Sequence, residues 1–355
     1  MGHSVVSPLT EGPMDAVRFE RLKARVAREL TPEQCVELGE VVQAAAASRL
    51  ADVALARRSA AVSSRRGCPH CGHDDIVKHG RDRGGRQRFR CRRSGSSGCG
   101  QTFNALTGTA FTRMRKPEKW AAYARMMATG FKSVDDVKTS GLGISRLTAW
   151  RWRHRLLRAQ ALRQAERVGG VIEADETYFL SSYKGHRGWQ NGNPPENRPP
   201  RYRGGPAINR GLSSEQIPVL TALDNAGGII EEVLPNRAAI APALQGRIAP
   251  GSVLCSDGHK AYVSAAVKAG SEHRRIMTPK KTQATKAVGG KPRRPGRLGL
   301  GHVNAHHERT KTFVNRQVRG VSTRHLPFYL GWLRALRRPD FSPEALIDEA
   351  LSTLK

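Results

Sequence analysis

The chain has 355 residues, with 60 Lys+Arg against 30 Asp+Glu and a formal charge of +30. At 38% hydrophobic and 25% charged it is neither a disordered polymer nor a membrane protein, and its six cysteines are too few for a disulfide scaffold. No run approaches the roughly 18 apolar residues of a membrane span, and MGHSVVSPLTEGPMDAV lacks the basic-then-apolar layout of a signal peptide. Secretion and membrane insertion are excluded on these grounds, and nucleic acid becomes the default partner, because each neutralised phosphate releases counterions.

Residues 1–62 read as an N-terminal helical segment. Thr31-Pro32-Glu33-Gln34 has the form of an N-cap, a Pro at the first helical position and a Gln three residues after the cap. The Ala-rich stretch that follows carries Val36, Leu38, Val41, Val42 and Leu50, a pattern suited to packing or dimerisation. AVSSRRG, 61–67, is a linker.

Residues 63–110 hold Cys68-x2-Cys71 and Cys91-x7-Cys99, two pairs able to offer four thiolates tetrahedrally to a structural Zn2+. His70 and His73 are competing ligands, set aside because a fourth Cys is present. Arg86, Arg88 and Arg90 alternate around Phe89, which puts arginines on one face of a strand and marks them for DNA. Cys35 and Cys255 lie apart and are expected to be buried.

Residues 112–162 read as a helix-turn-helix. Ser133–Thr139 is a short helix, Gly141–Ser145 the turn, and Ser145 caps a second helix bearing Arg146, Thr148, Arg151 and Arg153 as DNA contacts. Leu142, Ile144, Leu147 and Trp150 are expected to hold the two helices together.

From 168 to 355 short apolar runs alternate with helical segments, the pattern of an α/β domain. The runs are Val171-Ile172, Ile217–Leu223 and Ser252–Ser256, with a turn signal at Asp224–Gly227. Leu326–Leu336 closes the chain as an apolar helix, followed by one capped by Ser342. Two loops are strongly basic. One spans 184–210, with Lys184 and Arg203. The other, 274–297, has nine Lys/Arg and no acid.

Against this background Asp175 and Asp257 each appear at the end of an apolar strand, where a carboxylate is often only a turn residue. Two of them in one α/β domain can converge on two Mg2+ (or Mn2+) and serve an in-line phosphoryl displacement. Glu173, two residues before Asp175, either touches a metal or pairs with an Arg, the latter being preferred. His259, Lys260 and Tyr262 either line a DNA path or belong to the next helix.

From about residue 60 to 338 the chain resembles the zinc-ribbon-bearing bacterial insertion-sequence transposases of the DDE superfamily, the ISXO-like group. The blocks that carry the resemblance, in order, include CPHC…GCGQTFNALTGTAF, GISRLTAWRWRHRLL, EADETYF, GLSSEQIPVLTALDNAG, CSDGHKAY and HVNAHHERTKTFVNRQVRGVSTRHLPFYLGWLRAL. The resemblance implies an RNase H-like catalytic domain with Asp175 and Asp257 as metal ligands. It also implies a third position at Asn304, with His307 as runner-up, and Lys311 at the DNA phosphate. A neutral Asn304 departs from the DDE pattern. The implied activity is binding of terminal inverted repeats in double-stranded DNA with Mg2+-dependent cleavage and strand transfer, by a homodimer or higher synaptic oligomer in a bacterial cytoplasm, at the nucleoid. The alternatives are a catalytically inactive, repurposed transposase acting as a repressor, and a nuclease that only nicks.

Overall fold

The computed structural model describes residues 14–64, 67–93, 97–130, 133–184, 213, 215–277 and 298–352. Helices α1 (Ala16–Glu29) and α2 (Pro32–Ser64) open it. The α2 cap is reciprocal: Gln34 N donates to Thr31 Oγ1 (3.3 Å) and Thr31 N to Gln34 Oε1 (2.9 Å), so two otherwise orphaned donors are satisfied. α1 buries none of its residues. α2 turns Ala47, Ala51, Ala54 and Leu55 inward.

Next comes a three-stranded antiparallel meander, β1 (Ile76–Arg81), β2 (Gln87–Cys91) and β3 (Thr102–Asn104). Phe89 and Phe103 pair in register and stack with ring centroids 5.7 Å apart, which gives this small sheet a core of its own with Cys68 and Cys91.

α3 (Pro117–Ala128) is followed by a 3-10 turn (Asp135–Lys138), which stands where the short helix Ser133–Thr139 was expected, and then by α4 (Arg146–Leu162). Ser145 caps α4 as expected, accepting from Thr148 N at 3.1 Å. The packing differs from expectation in one respect. Leu142 and Ile144 are partly buried, but Leu147 and Trp150 are 55% and 38% exposed. The buried stripe of α4 is instead Trp152, Leu156 and Leu157, one helical face at i, i+4 and i+5.

The remaining strands are β4 (Val171–Leu180), β5 (Gln216–Asp224), β6 (Ile229–Val233), β7 (Val253–Ser256) and β8 (Glu272–Arg275). They form one mixed sheet in the order β6-β5-β4-β7-β8, antiparallel from β6 to β4 and parallel from β4 to β8. The helices are a short α5 (Ile240–Leu244), α6 (Lys260–Lys268), α7 (Gly301–Lys311), α8 (Leu326–Ala335) and α9 (Pro343–Ser352).

Period-two alternation gives the sheet two faces. Ile172, Ala174, Leu220, Ala222 and Leu254 pack against α5 and α6 through Ile240, Leu244, Tyr262 and Ala265. On the other face Val171, Cys255 and Leu223 meet Leu300 and Val303 at the start of α7. The fold is thus α/β, with helices on both sides of a mixed sheet.

α4 packs on α8 and α9, so residues 112–162 and the last helices share one hydrophobic core with α2 and α3. Gly331 makes the α4–α8 approach possible: a Cβ there would lie 2.4 Å from the Gln160 carbonyl. Trp120, Leu156, Leu157 and Trp332 are fully buried here, each contributing about 1.5–3 kcal/mol. Leu326, Tyr329 and Leu330 are core as expected, with Leu333 and Leu336 partly buried.

Three further expectations are corrected. Asp175 lies in the middle of a ten-residue strand rather than at its end, because β4 continues through the polar Glu176-Thr177. The basic segment 274–297 begins inside β8, which contains Arg274 and Arg275. Cys35 is exposed on α2, whereas Cys255 is buried. No helix among the described residues is long and apolar enough to cross a membrane.

Candidate functional site

The acidic site follows from strand register. β4 and β7 pair in parallel as Val171–Val253, Ile172–Leu254 and Glu173–Cys255. Two residues beyond that last pair stand Asp175 and Asp257. β7 ends at Ser256 while β4 runs on to Leu180, still paired with β5, so the β7 side of β4 opens here. Oxygens of Asp175, Glu176 and Asp257 come within 4.8 Å of one another in that opening. Hard carboxylate oxygens clustered at this spacing suit a divalent cation such as Mg2+ or Mn2+.

Electrostatics fit the same use. Burial pushes the Asp175 carboxyl up to about 6; the Glu176 N–H, at 2.9 Å, opposes the rise, while the Glu176 and Asp257 charges add to it. One cation already leans into the cluster. Arg237, in a 3-10 turn capped by Asn236, donates to Glu176 Oε1 (3.2 Å) and Oε2 (3.3 Å) and to Asp257 Oδ2 (3.3 Å). Glu176 and Arg237 were not singled out in the sequence. Alternation along β4 would put Glu176 on the face opposite Asp175, and Arg237 is 61 residues away from it.

Among the described residues Glu173 pairs with no Arg. Its Oε2 accepts from the backbone N–H groups of His302 (2.7 Å) and Val303 (3.0 Å), and its Oε1 lies 2.8 Å from His302 Nδ1. A carboxylate at the first turn of α7 satisfies orphan donors and complements the helix dipole. This bond holds α7 to the strand that carries Asp175.

α7 carries the expected third-position residues. Asn304 is exposed on it, and Lys311 is half-buried at its end. His307 is 5% exposed, and it is not one of the ligand group around Asp175. Burial lowers its imidazole to about 4, with His306 and Lys311 adding to the effect against Glu231. Behind it His306 Nε2 meets Glu231 Oε1 (2.9 Å), and Arg334 Nη1 donates to Glu231 Oε2 (2.6 Å). This fully buried triad fastens α7 and α8 to β6.

The cysteine site assembles as the spacing predicts. The four Sγ atoms of Cys68, Cys71, Cys91 and Cys99 lie within 4.8 Å of one another, with Cys68–Cys99 at 3.6 Å and Cys71–Cys91 at 3.7 Å. The four are close enough to hold one metal ion, and His70 and His73 are not part of the group. Burial pushes the Cys68 thiol up to about 12, and the His73 backbone N–H brings Cys71 down to about 7. Gly98 is required at this turn: with φ at 77°, a Cβ would lie 2.0 Å from the Arg92 carbonyl oxygen.

The basic residues divide. Arg90 is exposed on β2, opposite the buried Phe89 and Cys91. Arg88 donates to Thr102 Oγ1 (2.7 Å) and Arg86 pairs with Asp82 (2.9 Å). Arg146 and Arg151 are exposed on α4, and Thr148 is half-buried at its first turn. Arg153 is a correction. At 2% exposed it donates to Tyr123 Oη (3.2 Å) and lies over the Trp332 ring, so it packs between helices and is not presented on the open face of α4 with Arg146 and Arg151. Lys184 donates to the Arg319 and Gly320 carbonyls (3.1 and 2.8 Å). Arg203 and the loop parts 185–212 and 278–297 lie outside the described residues. His259 caps α6 and Tyr262 is buried behind the acidic cluster.

No family model matches the chain, and no curated protein is significantly similar to it.

Proposed function

We propose that the chain is a DNA transposase of the DDE type. The carrying observation is the register-matched pair Asp175 and Asp257 with Glu176 beside them, a three-carboxylate site in a protein with a charge of +30. The strand order, with an antiparallel meander β4-β5-β6 continued by parallel β7 and β8, supports an RNase H-like reading of the sheet. The four-cysteine site supports a structural Zn2+ in a ribbon that, with α4, would grip the element's ends.

In this reading Mg2+ held by Asp175 and Asp257 supplies charge neutralisation for an in-line attack on a phosphodiester. The chain's own residues do the rest. Glu176 adds a third oxygen or, through Arg237, sets the tilt of Asp257. Glu173 fixes α7 so that Asn304 and Lys311 flank the DNA path. Arg90, Arg146 and Arg151 hold phosphates away from the chemistry. The work is positioning and charge, with no covalent intermediate.

Exposed, neutral Asn304 favours one second reading, a DNA-binding repressor descended from such an enzyme. One experiment separates them. A duplex bearing the repeat beside the gene is incubated with the protein and Mg2+, with and without a plasmid target. Cleaved ends joined to the plasmid, lost in Asp175→Asn, support the transposase. Cut ends without joining indicate a nuclease. Tight binding without cleavage in either Mg2+ or Mn2+ supports the repressor.

A further inference from the structure

The first turns of α4 and the loop between α7 and α8 enclose a cavity of about 550 Å3 that the acidic site does not use. Its volume is in the class of small organic ligands rather than of an ion. Aromatic rings make one part of it. Trp150 and His154 have centroids 4.5 Å apart, His154 and His325 4.1 Å, and Trp150 meets His325 edge-on at 5.5 Å. Trp150 and Leu147, both lining residues, are exposed rather than packed.

Polar groups make the second part. His154 Nδ1 lies 2.8 Å from the Trp150 carbonyl and so carries the proton, which leaves Nε2 an acceptor. Arg324 Nε donates to His325 Nε2 at 3.1 Å, which makes Nδ1–H a donor. His154 Nε2, His325 Nδ1 and the Ser322 hydroxyl are all buried without a hydrogen-bond partner among the described residues. His154, His325 and Ser322 are all lining residues of the cavity. Burial holds both imidazoles below their ordinary range, His154 at about 4, so the rings are neutral at pH 7.

Charge is the third part. Arg146, Lys184 and Arg319 line the cavity, while its carboxylate, Asp135, is already paired with Arg146 at 3.1 Å. The wall is also built at a conformational cost. A π-helical turn (Thr312–Gln317) leads into Arg319, a non-glycine residue that is left-handed at φ 57°. Two such features in succession are uncommon away from functional sites.

An exposed aromatic face and flanking cations together match one ligand chemistry. We propose that the cavity receives a single unstacked nucleobase of bound DNA, its face on the exposed Trp150 ring, with the adjoining phosphates at Arg146, Lys184 and Arg319. The proposal rests on the DNA-binding reading above. It also ties the cavity to the chemistry, because Lys184 follows β4, whose Leu180 stands roughly 16 Å of strand beyond Asp175.

The test uses three labelled 20-base-pair duplexes without divalent metal. One is fully paired, one carries a single unpaired adenine, and one carries an abasic residue at that position. Stacking on an aromatic side chain predicts that the adenine bulge binds about tenfold more tightly than the other two. Trp150→Ala removes that preference while the paired-duplex Kd stays unchanged, and Trp150→Phe retains it. Equal binding of the adenine and abasic bulges, or a preference that survives Trp150→Ala, overturns the base pocket and leaves DNA binding standing. Failure to bind any duplex at low salt overturns both.

Discussion

Asp175 and Asp257 stand two residues past the last pair, Glu173–Cys255, of two neighbouring parallel strands. Their meeting is therefore fixed by backbone hydrogen bonds and not by side-chain rotamers. Glu176 joins them because β7 ends at Ser256, and burial then raises Asp175 to about 6.

That rise has a sign. The unfolded chain titrates Asp near 3.9, so the folded, metal-free protein binds this proton more tightly. Its stabilising contribution is complete below about pH 4 and is lost as pH rises through about 6. Asp175→Asn should therefore stabilise the metal-free protein at pH 7.5 and not at pH 4. The gain is on the order of 1 kcal/mol, discounted because the carboxyl remains partly open to water. Thermal melts in EDTA at the two pH values measure it. A destabilised variant at pH 7.5 would count against an uncompensated carboxylate there.

Arg237 competes with any cation for Asp257 and Glu176. Replacing it with Ala should tighten Mn2+ binding several-fold, read by calorimetry at pH 7.5. If affinity drops instead, Arg237 is organising the carboxylates and not opposing the metal.

Glu173 anchors α7 through three contacts, two of them to backbone N–H groups. Glu173→Ala should cost about 1–2 kcal/mol, in the range of a lost N-cap. Hydrogen exchange should then quicken selectively at the start of α7. Uniform change across the sheet would show that the residue acts on the strand alone.

The four-cysteine site should bind one equivalent of Zn2+, and Cys91→Ser should lose it. With a small core of Phe89, Phe103 and the cysteines, edged by Val62 and Ile76, the β1–β3 meander should lose exchange protection on chelation while the large sheet does not. Retention of protection in the chelated protein would mean that the aromatic stack alone holds the meander.

Much of this was legible in the sequence where local chemistry decides. The Thr31-Gln34 box, the Ser145 cap, the cysteine spacing and the β5–β6 turn at Asp224 all form as read. Local pattern fails where topology decides. β8 (Glu272–Arg275) is an edge strand with no apolar residue, and β6 carries Glu231 and Glu232, so neither shows strand periodicity. Arg153 looked like a DNA contact beside Arg151, yet it faces Tyr123 and Trp332 from other helices. Trp150 looked like core and is exposed. The third position is the open part of the site, since Asn304 is exposed and His307 lies outside the carboxylate group.

The central claim is that Asp257 touches the metal that drives phosphodiester cleavage, and a ligand swap tests it most directly. Asp257→Cys exchanges a hard oxygen for a soft thiolate, which Mg2+ disfavours and Mn2+ tolerates better. Cleavage of the repeat-bearing duplex is measured for the wild type and this variant in each metal. The account predicts that the wild type cuts in both, while the variant is inactive in Mg2+ and recovers in Mn2+. Undiminished cleavage by Asp257→Cys in Mg2+, or none by the wild type in either metal, would contradict it.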